Sequence, residues 1–225
     1  MQSQQMQQIL DVAGDLFFEY GFWNAKVSDI AARSEISTAS IYKAFESKDA
    51  LFRAVLARGL NQLKLLTKPL PEEENPVSRL MQASQRYQDL CASPLLRDLI
   101  RAPIEHNSIP LTFRRSMCRQ IRAALEGICM PPLQACGEAG LLDPSRLKDA
   151  FRLLSAYIEH QTLWYGLLVS PTGRNPVKDD QVAQEAVRIT LSAYPPRQDE
   201  ASAPFDGDAQ SVVGIPLRSH RAPKD

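Results

Sequence analysis

The sequence predicts an all-α chain in two parts, and three observations carry that reading. No stretch alternates apolar and polar residues for long enough to form a strand. Asn75-Pro76, Ser93-Pro94 and Asp143-Pro144 each place a capping residue directly before a proline, the pattern of a helix start with proline at its first position. Between Val27 and Leu51, two short helical patterns lie only a few residues apart, so they must cross steeply, as in a helix-turn-helix. With 225 residues and 44% hydrophobic content, the chain is long enough to bury a core in one or two domains.

Met1 to Gln8 is a glutamine-rich arm that brings no charge to phosphates, its plainer reading being a terminus that frays. Ile9 to Tyr20 has helical period, with Ile9, Leu10, Ala13, Leu16, Phe17 and Tyr20 on one apolar stripe. Gly14 inside it costs ~1 kcal/mol relative to alanine, which predicts a close neighbour there, and Gly21 ends the helix. In the next two helices Ile30, Ala31, Ile36, Ile41 and Phe45 fall on the inner faces and lock the crossing. The outer face of the second helix is left with Ser37, Thr38, Ala39 and Lys43. A helix of that kind fits the major groove of DNA, and short hydroxyl or methyl side chains allow close approach to base edges. Tyr42 and Lys43 reach toward phosphates, and Lys48 follows a Ser47 cap at the start of the next helix, where free amides favour an anion.

These residues resemble a known family. The run Ile9-Leu10, Ala13, Leu16-Phe17, Gly21-Phe22, then Val27, Asp29-Ile30-Ala31, then Ile41-Tyr42, Phe45, Ser47-Lys48-Asp49 and Leu51 is similar to the DNA-binding region of TetR-family transcriptional regulators. The resemblance covers roughly the first quarter of the chain by motif and the rest only by helical layout. It implies an N-terminal three-helix DNA-binding domain and a larger helical domain for ligand binding and dimerisation. Ser28, Ser37, Thr38, Ala39, Ser40, Tyr42, Lys43 and Lys48 are the candidate DNA-contacting residues. The chain departs from the family pattern in four places. Lys26 stands where a threonine is usual, Glu35 where the turn has glycine, Thr38-Ala39 where a lysine-glycine pair is common, and Ala44 where an aromatic or histidine often precedes the final phenylalanine.

From Lys48 a longer helix runs through Leu51, Phe52, Val55, Leu56, Leu60 and Leu63 until Lys68-Pro69-Leu70-Pro71 stops it. Pro71 to Asn75, with Glu72, Glu73 and Glu74, reads as a solvated linker. Further helices are predicted from Pro76 to Cys91, Pro94 to Ala102, Pro110 to Met130, Pro144 to Val169 and Lys178 to Tyr194. Pro131-Pro132 should interrupt the third of these, with Leu133 to Glu138 as a separate turn before Gly140. The segment Leu147 to Val169 carries two apolar stripes. One holds Phe151, Leu154, Tyr157, Ile158, Gln161, Tyr165 and Leu168; the other holds Leu153, Ala156, His160, Leu163, Trp164 and Leu167. A helix apolar on most of its circumference needs neighbours on most sides, which predicts a second subunit. With the face of Val182, Ala183, Ala186, Val187, Thr190, Ala193 and Tyr194, two helices from each of two chains would form a four-helix interface, as the resemblance also implies. The domain boundaries predicted are 1–52 for the reader, 53–195 for the regulatory and dimerisation part, and 196–225 for a disordered tail rich in proline, glycine and charge.

Charge gives nucleic-acid binding no support. Formal net charge is zero, and between Met1 and Arg58 the basic Lys26, Arg33, Lys43, Lys48, Arg53 and Arg58 face Asp11, Asp15, Glu19, Asp29, Glu35, Glu46 and Asp49. Cys91, Cys118, Cys129 and Cys136 lack C-x-x-C pairing and metal-ligand spacing, so reduced and mostly buried thiols are expected, with no metal and no cofactor. No signal pattern and no bilayer-length apolar run is present, so a cytoplasmic location away from membranes is expected. Phosphate loops, nucleophile elbows and H-E-x-x-H are absent, and an enzyme built on Glu159 or His160 is disfavoured because helix neighbours point apart. His160, on so apolar a helix, is expected to be buried. Tyr87, Phe113, Met117, Tyr157, His160, Gln161 and Trp164 offer aromatic walls and polar handles for a small-molecule effector. The composite expectation is a homodimeric, ligand-responsive regulator, a repressor on a palindromic double-stranded DNA operator. The alternative is a ligand-binding or protein-interaction dimer on the same scaffold that has lost DNA affinity.

Overall fold

The computed structural model describes residues 3–68, 75–106, 109–168 and 181–197, and among them every regular element is a helix. The acidic linker, Val169, Lys178 and the tail beyond Arg197 lie outside the described residues.

Helix α1 spans Ser3–Asn24 and so begins well before Ile9. The expected fraying of the glutamine arm is corrected for Ser3–Gln8. Glutamine is a good helix former, and Arg58 on α4 holds this turn by donating to the Gln7 carbonyl at 3.0 Å and pairing with Asp11 at 2.5 Å. Gly21 breaks the helical path with φ 77, a left-handed value that suits glycine, and one more turn follows to Asn24. That turn buries Phe22 and leaves Trp23 67% exposed.

Helices α2 (Val27–Ser34) and α3 (Thr38–Phe45) form the crossed pair. Ile30, Ala31, Ile41 and Phe45 are buried in one apolar cluster with Ile9, Ala13, Leu16 and Phe17, as the spacing predicts, and Ile36 packs half-buried against it. Glu35 takes the left-handed turn (φ 55) that ends α2, and its conformation lets the Ile36 amide donate back to the Ala31 carbonyl at 3.1 Å. A glutamate there costs of order 1 kcal/mol relative to glycine.

Helix α4 (Lys48–Leu66) starts at a Ser47 cap whose hydroxyl accepts from the Ala50 amide at 3.1 Å. It buries Leu51, Phe52, Val55, Leu56, Leu60 and Leu63. Val55 is the neighbour expected at Gly14: a Cβ there would lie 3.5 Å from its Cγ1. Helix α5 (Pro76–Ala92), capped by Asn75, packs against α7, α8 and α9 and is the centre of the larger domain. Helix α6 (Pro94–Glu105), capped by Ser93, runs past Pro103 instead of stopping at Ala102. It crosses α4 where Gly59 leaves room, since a Cβ there would come within 3.0 Å of Leu99 Cδ2. Farther along, His106 at its end reaches Asp49 near the start of α4. Helix α6 therefore descends α4 toward the crossed pair.

Helix α7 (Leu111–Glu138) is unbroken through Pro131-Pro132, which corrects the predicted interruption. Two backbone hydrogen bonds are lost there, but Ile128, Cys129, Pro132, Leu133 and Cys136 are buried and the packing against α5 holds the axis. After a 3-10 turn over Pro144–Arg146, capped by Asp143, α8 spans Leu147–Leu168 and α9 spans Val182–Ala193. On α8, Leu154 and Ile158 are buried, whereas Ala156 and His160 are exposed, as are Trp164 (54%) and Leu168 (79%). His160 is thus not the buried histidine its apolar neighbours suggest. Part of the second stripe finds no cover among the described residues.

Candidate nucleic-acid interface

Helix α3 presents the surface the spacing predicts. Thr38, Ala39, Ser40, Tyr42 and Lys43 are exposed, while Ile41 and Phe45 anchor the other side. Ser37 caps the helix: its hydroxyl accepts from the Ser40 amide at 3.2 Å and shares a 2.8 Å hydrogen bond with the Ser40 hydroxyl. That single shared bond leaves one hydroxyl hydrogen and further lone pairs of the two exposed serines beside Thr38, Ala39, Tyr42 and Lys43 on the outer face. At the head of α2, Lys26 offers no side-chain cap, and Ser28 stands exposed beside Asp29 at 3.3 Å. The Asp29 and Ile30 amides both donate to the Lys26 carbonyl, at 3.1 and 3.2 Å, so the turn is closed by backbone instead of a side-chain cap.

Lys48 sits at the flank. Its ammonium lies 4.6 Å from the centre of the Phe22 ring and donates to the Trp23 carbonyl at 3.5 Å, and partial burial draws its pKa below the ordinary lysine value against the opposing pull of Asp49. An ammonium has three donors, so this anchoring leaves others for a phosphate.

Sequence reasoning missed the joint behind this flank. His106 is 1% exposed, stacks on Phe22 at 3.6 Å between ring centres, and brings Nε2 within 3.1 Å of Asp49. Phe17, Phe52 and Trp23 complete the aromatic group. The end of α6 is thereby fastened to the residues that support Lys48. No periodicity flags a histidine outside a helix, and the contact spans 57 residues of chain. Gln5 and Met6, not singled out from the sequence as site residues, line a groove with Ile36, Ser40, Lys43 and Ala44, so the start of α1 borders α3.

The predicted effector set does not converge on one cavity. Tyr87 and Met117 are core, and Phe113 is half-buried. Tyr157 and Gln161 line a shallow groove with Gln181, Val182, Gln184, Glu185 and Arg188, while His160 and Trp164 face outward. The Tyr87 hydroxyl donates to Glu159 at 2.5 Å, and burial, reinforced by that carboxylate, holds the phenol well above its usual pKa. Cys91, Cys129 and Cys136 are buried and Cys118 is exposed; burial pushes the Cys129 thiol up to about 12. Among the described residues, no group of three metal-ligating side chains gathers, and no helix is long and apolar enough to cross a membrane.

Residues 9–55 match the model of the bacterial regulatory proteins of the tetR family. A comparison with curated protein sequences gives no match. Among solved structures, a TetR-family regulator from Mesorhizobium loti superposes with TM-score 0.70 at 17% identity, covering 86% of this chain and 98% of that one. A TetR regulator from Agrobacterium tumefaciens gives 0.69 at 21% identity, with 86% and 95% covered. A transcriptional regulator from Saccharomonospora viridis in complex with choline gives 0.65 at 19% identity, with 87% and 100% covered. At these identities the structural likeness speaks for the fold.

Proposed function

We propose, from the match of residues 9–55 to the tetR-family model, that this chain is a TetR-type homodimeric repressor that releases a palindromic operator when a small molecule binds its larger domain. The observation that carries the reading is the exposed face of α3, where Thr38 and Ala39 stand beside Lys43 on a helix held by buried Ile41 and Phe45. In the dimer the two copies of α3 enter successive major grooves about 34–36 Å apart. Residues 1–52 form the reader and 53–195 the regulatory part, with α4 running through the boundary. The open stripe of α8, with α9 beside it, pairs with its symmetry mate. The effector enters among α5, α7 and α8, where the Tyr87–Glu159 pair is a polar handle in an apolar setting. A ligand that binds the dimer with altered reader separation more tightly shifts the population away from DNA.

Selection of duplexes from a random library tests this: a regulator enriches a palindrome with half-sites one helical turn apart. No enrichment would favour the alternative dimer without DNA affinity, a reading motivated by the reader's own charge of four basic against seven acidic side chains over residues 1–52. Within the reader, Lys48→Ala is expected to weaken binding to all sequences alike. It should flatten the plot of log affinity against log salt by about 0.9, the value for one phosphate contact. An unchanged slope, measured by titration at several salt concentrations, would remove Lys48 from the contact set.

A further inference from the structure

The first half of α7 has the charge that the reader lacks. Arg114, Arg115, Arg119 and Arg122 lie within one short run, and residues 107–125 contain no carboxylate. Arg115, Arg119 and Arg122 are exposed, opposite the buried Met117, Ile121 and Leu125. From helix geometry, these three arginines fall within roughly 60° of one another and span about 10 Å along the axis. Among the described residues none of the four makes an ion pair, whereas Arg101, Arg146, Arg152 and Arg188 each pair with a carboxylate three or four places away. Like charges stacked along one helix face repel, so this arrangement destabilises the free helix and is relieved by an anion.

The path of the chain sets where the stripe lies. Helix α6 descends α4 from Gly59 toward Asp49, ending at His106 against Phe22 and Trp23, beside Lys48. Helix α7 begins at Leu111 and climbs away, its far end reaching the start of α5, where the Cys136 thiol donates to the Pro76 carbonyl at 3.5 Å. The four arginines therefore occupy the half of α7 nearest the reader.

We propose that Arg115, Arg119 and Arg122 form a second, sequence-blind DNA contact that grips the phosphate backbone outside the bases read by α3. This rests on the DNA-binding reading above. Guanidinium forks match phosphate oxygens, and phosphate contacts add affinity and register without adding sequence preference. The stripe adds counterion release to that of Lys48, in a chain whose reader, residues 1–52, sets four basic side chains against seven acidic ones.

The test uses the full chain, a duplex of about 40 base pairs enriched by the selection, and a scrambled duplex of equal length, with affinity followed between about 50 and 200 mM salt. In R115Q/R119Q/R122Q the slope of log affinity against log salt should flatten by about 2–3 on both duplexes, at about 0.9 per contact, while the ratio of the two affinities stays constant. R115K/R119K/R122K should keep most of the slope. A glutamine variant with the native slope overturns the proposal, as does one that changes the affinity ratio alone; either leaves the regulator reading standing. If the unaltered chain binds neither duplex, the DNA-binding reading fails and this proposal fails with it.

Discussion

Replacing Phe52 by alanine is expected to destabilise the chain by about 3–5 kcal/mol, the range for truncating a buried phenylalanine. The ring is 2% exposed, meets Phe17 edge-on at 4.9 Å, and lies 5.2 Å from Phe22 and 5.4 Å from His106. Those neighbours belong to α1 and to the end of α6, so one side chain holds the reader to the larger domain. A cavity there loses transfer energy and also loosens the stack that carries Phe22 under Lys48. Phe52→Leu keeps most of the volume and should lose well under half as much. Urea denaturation measures both. A loss below about 1 kcal/mol for the alanine variant would mean that the aromatic group adds little to stability, and that α6 is fastened elsewhere.

The contrast between that joint and the crossed pair explains which parts of the molecule can be read from a sequence. The pair is local: its inward residues recur every three or four places, and its caps lie next to what they cap. Ser37, Ser47, Asn75, Ser93 and Asp143 all accept from amides two or three residues on, as their positions predict. Pro103 and Pro131-Pro132 went the other way. Proline carries a strong local signal to stop a helix, but burial of Pro132, Leu133 and Cys136 against α5 outweighs it, and nothing within a window of sequence reports that burial. His106 belongs to neither pattern, because its partners come from distant parts of the chain. The arginines of α7 are plain in the sequence, yet their significance depends on which end of α7 faces the reader, and only the descent of α6 along α4 decides that.

His160 and Trp164 show a further limit, and they lead to the second large effect. Periodicity identified two apolar stripes on α8 but could not say whether this chain fills both; here Ala156, His160 and Trp164 remain outside. Leu153, Ala156, His160, Trp164 and Leu167 are spaced three, four, four and three residues apart, a mean of 3.5 that matches helices packed at about 20° in a bundle. Ala156 is small enough to let a second backbone approach, and Trp164 offers a large apolar area beside it. At a twofold interface each substitution acts twice. Trp164→Glu would place two unpaired carboxylates in a desolvated seam, at a cost of several kcal/mol, and about 4 kcal/mol already carries a nanomolar dimer to a micromolar dissociation constant. The variant is therefore expected to sediment as a monomer at micromolar concentration. It should also lose operator affinity by roughly a hundredfold or more, because two linked readers gain about that much over one. Helical content should be unchanged, since the indole is already 54% exposed in the single chain and supports little of its core. A Trp164→Glu protein that still sediments as a dimer would place the subunit contact on another face and detach α8 from the pairing of the readers.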